Sequence, residues 1–410
     1  MLILLAAMAT SASGATYYMS PDGDDGASGV SEAAPWGTFG HAFDTMEPGD
    51  TLLLMDGVYR QTLGPKRSGE PGKPITIRAL NDGMATIDGE FERVPVWIDR
   101  DWITVEGIVA RNSRRTVYSI MKGSHNVLRR CTGYNANPDK NAHVFGVTYP
   151  EAQHNLLEDC AASGTGRKMF MFFLSKHNTM RRCFANWQRW DGREHPRLPW
   201  PNGANLQFYG ANHCTMENCI GVGRIPAWWS VSMFAQANTK SCIGNRILGT
   251  IALNAGTNED GGPRQWGERP DPCEGNVVHQ GYRAPGLLLV TSAGRPCRDN
   301  VFRDCFASGN IGSGLVVNGP VENCVVDHVT LRGNGGQNLR IDDEADVKVT
   351  NCNVEGTEHT GEGARLTHRY VDGELTDEPL WPWPMEERIQ REMGISVTEW
   401  MTEVLALETK

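Results

Sequence analysis

The chain has 410 residues, of which 40% are hydrophobic and 21% charged, with 46 Gly, 22 Pro and a formal charge of −10. That is ample material for a core, but the turn formers put short elements ahead of long helices. The acidic balance argues against a nucleic-acid partner, and after the leading residues no stretch is apolar for long enough to span a bilayer.

In chain order, an apolar run over residues 2–7 is followed by small residues, with Ser13 and Ala15 placed as the −3 and −1 positions of a cleavage site. This predicts a signal peptide over 1–15 and a secreted or periplasmic protein. Residues 22–29 read as a Gly, Asp and Ser loop. Thr38 reads as the N-cap of a short helix over 38–46, and Pro48-Gly49-Asp50 turns the chain into a strand over 51–55. Such a helix ahead of many strands suits the exposed end of a stacked β-core, so it is expected to cap that end.

From Ile75 onward short β-rich segments follow one another, each bounded by Gly, Asp or Pro. The segments SHNVLRRC, QHNLLEDC, KHNTMRRC, NHCTMENC and RDNVFRDC end at Cys131, Cys160, Cys183, Cys219 and Cys305, and looser copies end at Cys324 and Cys352. Self-similarity at this period predicts a solenoid, taken to run over 16–356. Aligned copies place Leu128, Leu157, Met180, Met216 and Phe302 inward. Alternation then turns Arg129, Glu158, Arg181, Glu217 and Arg303 outward, the first four alternating in sign as a structural ladder. The recurring Cys, from a total of 11, read as a reduced, buried stack in preference to disulfides or metal ligands. His125, His154, His177 and His213 share one turn position and read as turn residues. Beyond 356 the composition changes, and residues 357–410 are expected to form an extension or cap with two short helices. One runs from Pro384 to the stop at Gly394, and the other covers 398–407. Trp381 and Trp383 there read as packing residues, with a sugar platform as the alternative.

The stretch 163–190 shows a whole repeat unit with two basic residues dropped into it. A Gly-rich loop leads into an apolar strand over 169–174, and Arg167 and Lys168 stand where loop meets strand. Between residues 122 and 197, twelve basic side chains face six acidic ones, so a local positive field stands within an acidic chain. An anionic ligand is expected near it.

The repeats, the HNxxxxC turns and the leading segment YYMSPDGDDG…PWGTFGHAF…PGDTLLLMDGVYR together resemble those of right-handed parallel β-helix proteins, a group that includes pectate-lyase-type and related uronate lyases. The resemblance implies an all-β fold with three strands per coil, the first strand of each forming the floor of a substrate groove. Here those floor strands would be 142–148, 169–174, 205–209, 230–234, 286–290, 314–317 and 338–341. If Met169, Met171, Leu206 and Phe208 point inward, then Lys168, Phe170, Phe172, Asn205, Gln207 and Tyr209 point outward. The resulting strip holds His143, Lys168, Gln207, Tyr209 and Ser232, with Ser230 nearby and Arg167 beside it. Loops above carry Trp187, Trp190, Trp200, Trp228, Trp229 and Trp266, flat faces suited to sugar rings.

By resemblance the partner is an acidic polysaccharide and the reaction a β-elimination, which needs a base, stabilisation of an enolate-like intermediate and an acid. Lys168 is the expected base if its pKa is depressed, with Arg167 beside it, and Tyr209 or His143 is expected as the acid, or as the base instead. Gln207, Ser232, Trp190, Trp228 and Trp229 are expected to bind substrate. The resemblance also brings calcium as a possible cofactor, although no acidic cluster marks the central strands. A glycoside hydrolase would need two carboxylates, which the floor strands from His143 to Phe234 lack. A non-catalytic carbohydrate-binding β-helix remains the other reading, and a monomer is expected.

Overall fold

The computed structural model describes residues 14–137, 140–187, 203–224, 227–235, 241–257, 285–291 and 294–406. Most of the expected signal peptide, and Trp190, Trp200 and Trp266, lie outside the described residues. Trp187, Trp228 and Trp229 fall within strands.

No single repeat can bury its own apolar residues, so each lies in register on the next. Leu128, Leu157, Met180, Met216, Ile247, Phe302, Val326 and Val349 form one continuous row of cross-strand partners inside the stack. Among the described residues the strands form three parallel sheets of 12, 11 and 9 strands, in which successive members of each sheet come from successive coils. The fold is a right-handed parallel β-helix. One coil runs through His143–Thr148, Leu156–Glu158 and Ala161–Ser163 before Lys168–Phe173 begins the next.

Two corners of the coil use left-handed backbone. His125, His154, His177 and His213 have φ between 53° and 57°, and Arg130, Asp159, Arg182 and Asn218 have φ between 48° and 53°. Such conformations are unfavourable for residues with a Cβ, and stacking helps to offset the cost. The imidazoles lie nearly parallel at 5.0, 5.2 and 5.2 Å, with Trp102 stacked on His125 at 4.2 Å.

Beside three of the four corner His sits an Asn whose role the sequence reading passed over. Asn126, Asn155 and Asn178 are buried in a row. Asn155 Oδ1 accepts from the Asn126 amide at 2.9 Å, and Asn178 Oδ1 accepts from the Asn155 amide at 2.8 Å. Asn245 and Asn300 continue the row further along. Buried amide groups of the turn are thereby satisfied from one coil to the next. The ten described cysteines are free and buried. Cys160, Cys183 and Cys305 donate their thiols to carbonyls of the preceding coil at 3.3 to 3.4 Å.

The alternating charges on the flank are paired. Arg129 meets Glu158 at 2.8 Å, while Arg181 meets Glu158 at 3.3 Å and Glu217 at 2.6 Å. At the N-terminal end, Phe39–Thr45 forms a helix whose Thr38 side chain accepts from His41 N, and it lays Phe39, Ala42 and Phe43 against the core.

The C-terminal residues form helices Glu386–Met393, ended by Gly394 at φ 69°, and Val397–Ala406. They pack along the flank of the eleven-stranded sheet, in one apolar cluster with Phe184, Ile220, Leu253 and Phe306. Trp383 is buried in that cluster and Trp381 packs against it, its Nε1 donating to Leu366 O at 3.0 Å. Among the described residues no helix is long and apolar enough to cross a membrane.

Candidate active site

The outward face of the nine-stranded sheet brings together the basic and polar residues singled out in the sequence. Strand Lys168–Phe173 pairs with His143–Thr148 on one side and Gly203–Tyr209 on the other. Its phase is set by aromatic stacking inside the coil. Phe170 stacks on Phe145 at 4.6 Å, Phe145 on Tyr118 at 4.5 Å, and Phe172 on Phe208 at 5.4 Å. Phe170 and Phe172 therefore face inward, against the expectation, and Met171 and Phe173 face outward. Across the rungs, Met171 stands beside Gln207 and Gln207 beside Ser232, while Phe173 stands beside Tyr209.

Met169 is also in the core. The pairing passes from Lys168–His143 to Phe170–Phe145 without it, so two consecutive side chains enter the interior as the strand leaves the turn. That break in alternation lets Lys168 share the outward face with Met171 and Gln207. His143 confirms the side: a Cβ on outward-facing Gly146 would stand 3.5 Å from His143 Cδ2.

Asn205, expected outward, is buried and donates to Ser230 Oγ at 3.4 Å, while Ser230 Oγ donates to Gly221 O at 2.7 Å. This pair belongs to the coil's corner and not to the groove. Ser232 stays on the outward face, where it accepts from Gln207 Nε2 at 3.0 Å.

Electrostatically the group is unusual for its burial. Lys168 is 2% exposed and His143 5%. Burial, and then the Arg167 charge, hold the Lys168 ammonium well below the ordinary lysine range. Burial, followed by Arg167 and Lys168, pushes His143 well down as well, so its imidazole is neutral. Burial raises the Tyr209 phenol, and Arg167 opposes that rise. Arg167 itself is only half-buried and donates to Asn141 Oδ1 at 2.7 Å. These mutual influences place His143, Arg167, Lys168 and Tyr209 in one neighbourhood.

Two polar atoms there are buried with no hydrogen-bond partner among the described residues, His143 Nδ1 and Gln207 Oε1. Buried polar groups are rarely left so. As for calcium, the groups at this face are neutral or cationic, whereas calcium takes several oxygen ligands with carboxylates prominent. Among the described residues no cluster of three His, Cys, Asp or Glu forms a metal site anywhere. The residues around Lys168 do not fit calcium.

Met171, expected to face inward, and Phe173, overlooked in the sequence, are the additional outward side chains of this face. An unbroken apolar run from Met169 to Leu174 carries no polar marker of its phase. Only the recurrence of an aromatic in the adjoining strands, Phe145 and Phe208, signals which members stack inside.

Residues 37–179 match the model of a family described as Chondroitinase B, a span that includes His143, Arg167 and Lys168 but ends before Gln207 and Tyr209. Over 78 residues, 19% of this chain, the sequence is 40% identical to the uncharacterized protein YwoF of Bacillus subtilis (strain 168). That alignment covers 16% of YwoF, so the chain spans about a sixth of this curated relative's length. Among solved structures, pectate lyase Pel9A is similar at TM-score 0.48 and 17% identity over 86% of this chain and 82% of that one. A rhamnogalacturonan lyase is similar at TM-score 0.49 and 14% identity, over 93% and 99% of the respective chains. The family match makes this β-helix resemble polysaccharide lyases.

Proposed function

We propose that the protein is an exported polysaccharide lyase that cleaves a uronic-acid-containing polymer by β-elimination over the nine-stranded sheet. The observation that carries this reading is the burial of Lys168 against Arg167 and His143 on the outward face, with its amine held well below the ordinary lysine range. Lowering an amine's pKa raises the fraction free to accept a proton, whereas a lysine on an open surface is almost wholly protonated at neutral pH.

In this reading Lys168 takes the C5 proton of the uronate and leaves as an ammonium. The electron pair forms the C4–C5 double bond as the C4–O bond breaks, and charge passes through the carboxylate, which Arg167 stabilises. The departing oxygen needs a proton. Tyr209, kept protonated by burial, is a better donor than His143, whose depressed pKa leaves it neutral. His143 then serves as a hydrogen-bonding neighbour of the substrate, with Gln207 and Ser232 beyond it.

Incubation of purified protein with pectate, alginate and chondroitin, with and without chelator, tests the proposal through the ultraviolet absorbance of unsaturated ends. New absorbance with one of them supports it. Reducing ends without absorbance would mean hydrolysis, although strands Tyr118–Met121, His143–Thr148, Lys168–Phe173 and Gly203–Tyr209 carry no carboxylate. The half-exposed rings of Phe173 and Tyr209 favour one other reading, a non-catalytic binder, which would give neither signal.

A further inference from the structure

Next to the cationic group, four outward side chains form a tile: Met171 and Phe173 on one strand, Gln207 and Tyr209 on the next, paired Met171 with Gln207 and Phe173 with Tyr209. Residues two apart on a strand are roughly 6.6 Å apart and neighbouring strands ~4.8 Å, so the tile has about the footprint of a single sugar ring. Its chemistry is that of a sugar contact. The rings of Phe173 and Tyr209 lie 5.4 Å apart, tilted by 46°, and both are half-exposed, so an apolar ring face can lie against them. Gln207 is 2% exposed, its amide fixed by the bond from Nε2 to Ser232 Oγ, and its Oε1 has no partner among the described residues. A ligand hydroxyl or N–H placed there would satisfy it.

Stability does not explain Phe173, whereas Tyr209 packs against the small cluster of Ala204, Leu288, Val290 and Val316. Phe173 belongs to none of the buried apolar clusters. The outward face of the preceding rung carries Gly146 and Thr148 in the equivalent places, so the coil does not require an aromatic there. We infer that this tile is a distinct sugar subsite, in which Phe173 and Tyr209 stack on one pyranose ring and Gln207 Oε1 accepts from it. That ring is a neighbour, within the same acidic polymer, of the uronate held at Arg167 and Lys168. The occupant follows from charge complementarity: the Arg167 guanidinium stands beside Lys168 at one end of the strand, and the four floor strands from Tyr118 to Tyr209 carry no carboxylate. The inference rests on the outward face being a sugar groove, but not on its cleaving anything.

Its test is binding of pectate, alginate and chondroitin oligomers to the full chain and to Phe173→Ala, Phe173→Tyr and Gln207→Ala. Kd is read by calorimetry, or KM where the oligomer is cleaved. Phe173→Ala is expected to weaken binding about tenfold, the loss of one aromatic contact, with KM changing more than kcat. Phe173→Tyr should restore it, and Gln207→Ala should weaken binding by a similar factor. A folded Phe173→Ala protein that binds as well as wild type overturns the subsite, as does wild type that binds none of the three. If Gln207→Ala alone lowers affinity, the stacking assignment is wrong. Binding that depends on Phe173 without any unsaturated product keeps the subsite and rejects the lyase reading alone.

Discussion

The corners of the coil and the outward face of the nine-stranded sheet are built from the same repeats, yet they differ in one respect. At the corners a residue type recurs from rung to rung, His stacking on His and Asn accepting from the coil before it, and on the flanking strands Arg alternates with Glu. On the outward face successive rungs read Gly146, Met171, Gln207 and Ser232, with no type repeated. A recurring polar group can be satisfied by its own copy one coil away. A solitary one needs a different partner, and His143 Nδ1 and Gln207 Oε1 have none among the described residues; within the repeating Asn row, Asn126 Nδ2 also has none. In a stacked fold, repetition marks what holds the chain together, and its interruption marks what the chain does.

The sharpest way to break this comparison is at Lys168. Lys168→Met should lower cleavage by at least about 100-fold, the usual contribution of a positioned base, without lowering the thermal midpoint. The pH profile gives the same group a second test. Because Lys168 is depressed, activity should be lost as pH falls through that lowered value, so the acid limb lies well below the lysine reference of ~10.4. A limb near that reference would remove Lys168 from the role of base.

On the repeating side the order of effects reverses. Arg181→Ala leaves Glu217, whose side chain is fully buried, without its cation, and should cost about 3 kcal/mol in denaturant unfolding. Activity per folded molecule should change little. Asn178→Leu removes the acceptor of the Asn155 amide and should cost about 2 kcal/mol by the same measurement. The smallest effect belongs to the imidazole ladder. Burial and neighbouring imidazoles lower His125 and His177. Protonation therefore favours the unfolded chain, and stability present above the unfolded value of ~6.5 is lost as pH falls through the depressed folded values. A modest drop in melting temperature from neutral pH to about pH 5 should be flattened by His177→Asn.

Much of the architecture was readable because the repeats align themselves. The expected floor strands at 169–174 and 205–209 correspond to Lys168–Phe173 and Gly203–Tyr209, and the sign-alternating ladder is present with its predicted partners. The buried Asn row was as plainly written, in the second letter of each HN pair, but the adjacent His drew the reading to the exposed side of the turn. Side-chain direction in the floor strands was not readable by counting. Strict alternation fails where Met169 and Phe170 both turn inward, a consequence of the bend into the strand that the local sequence does not announce. The placement of the C-terminal helices along a flank was also hidden, because the apolar face they cover is spread over residues 161–306.

That C-terminal segment changes how the molecule should come apart. A stack in which each coil touches only its neighbours can fray from either end, one unit at a time. Here Arg365 grips Asp304, Gly373 N donates to Glu217, and Arg388 reaches the carbonyls of Ile108 and Arg130. This later segment thus crosses back over coils that precede it and ties distant rungs to one another. Early coils would wait for this segment to be made before gaining their full protection from hydrogen exchange. Loss of a single unit in the middle would then be resisted by contacts with both halves.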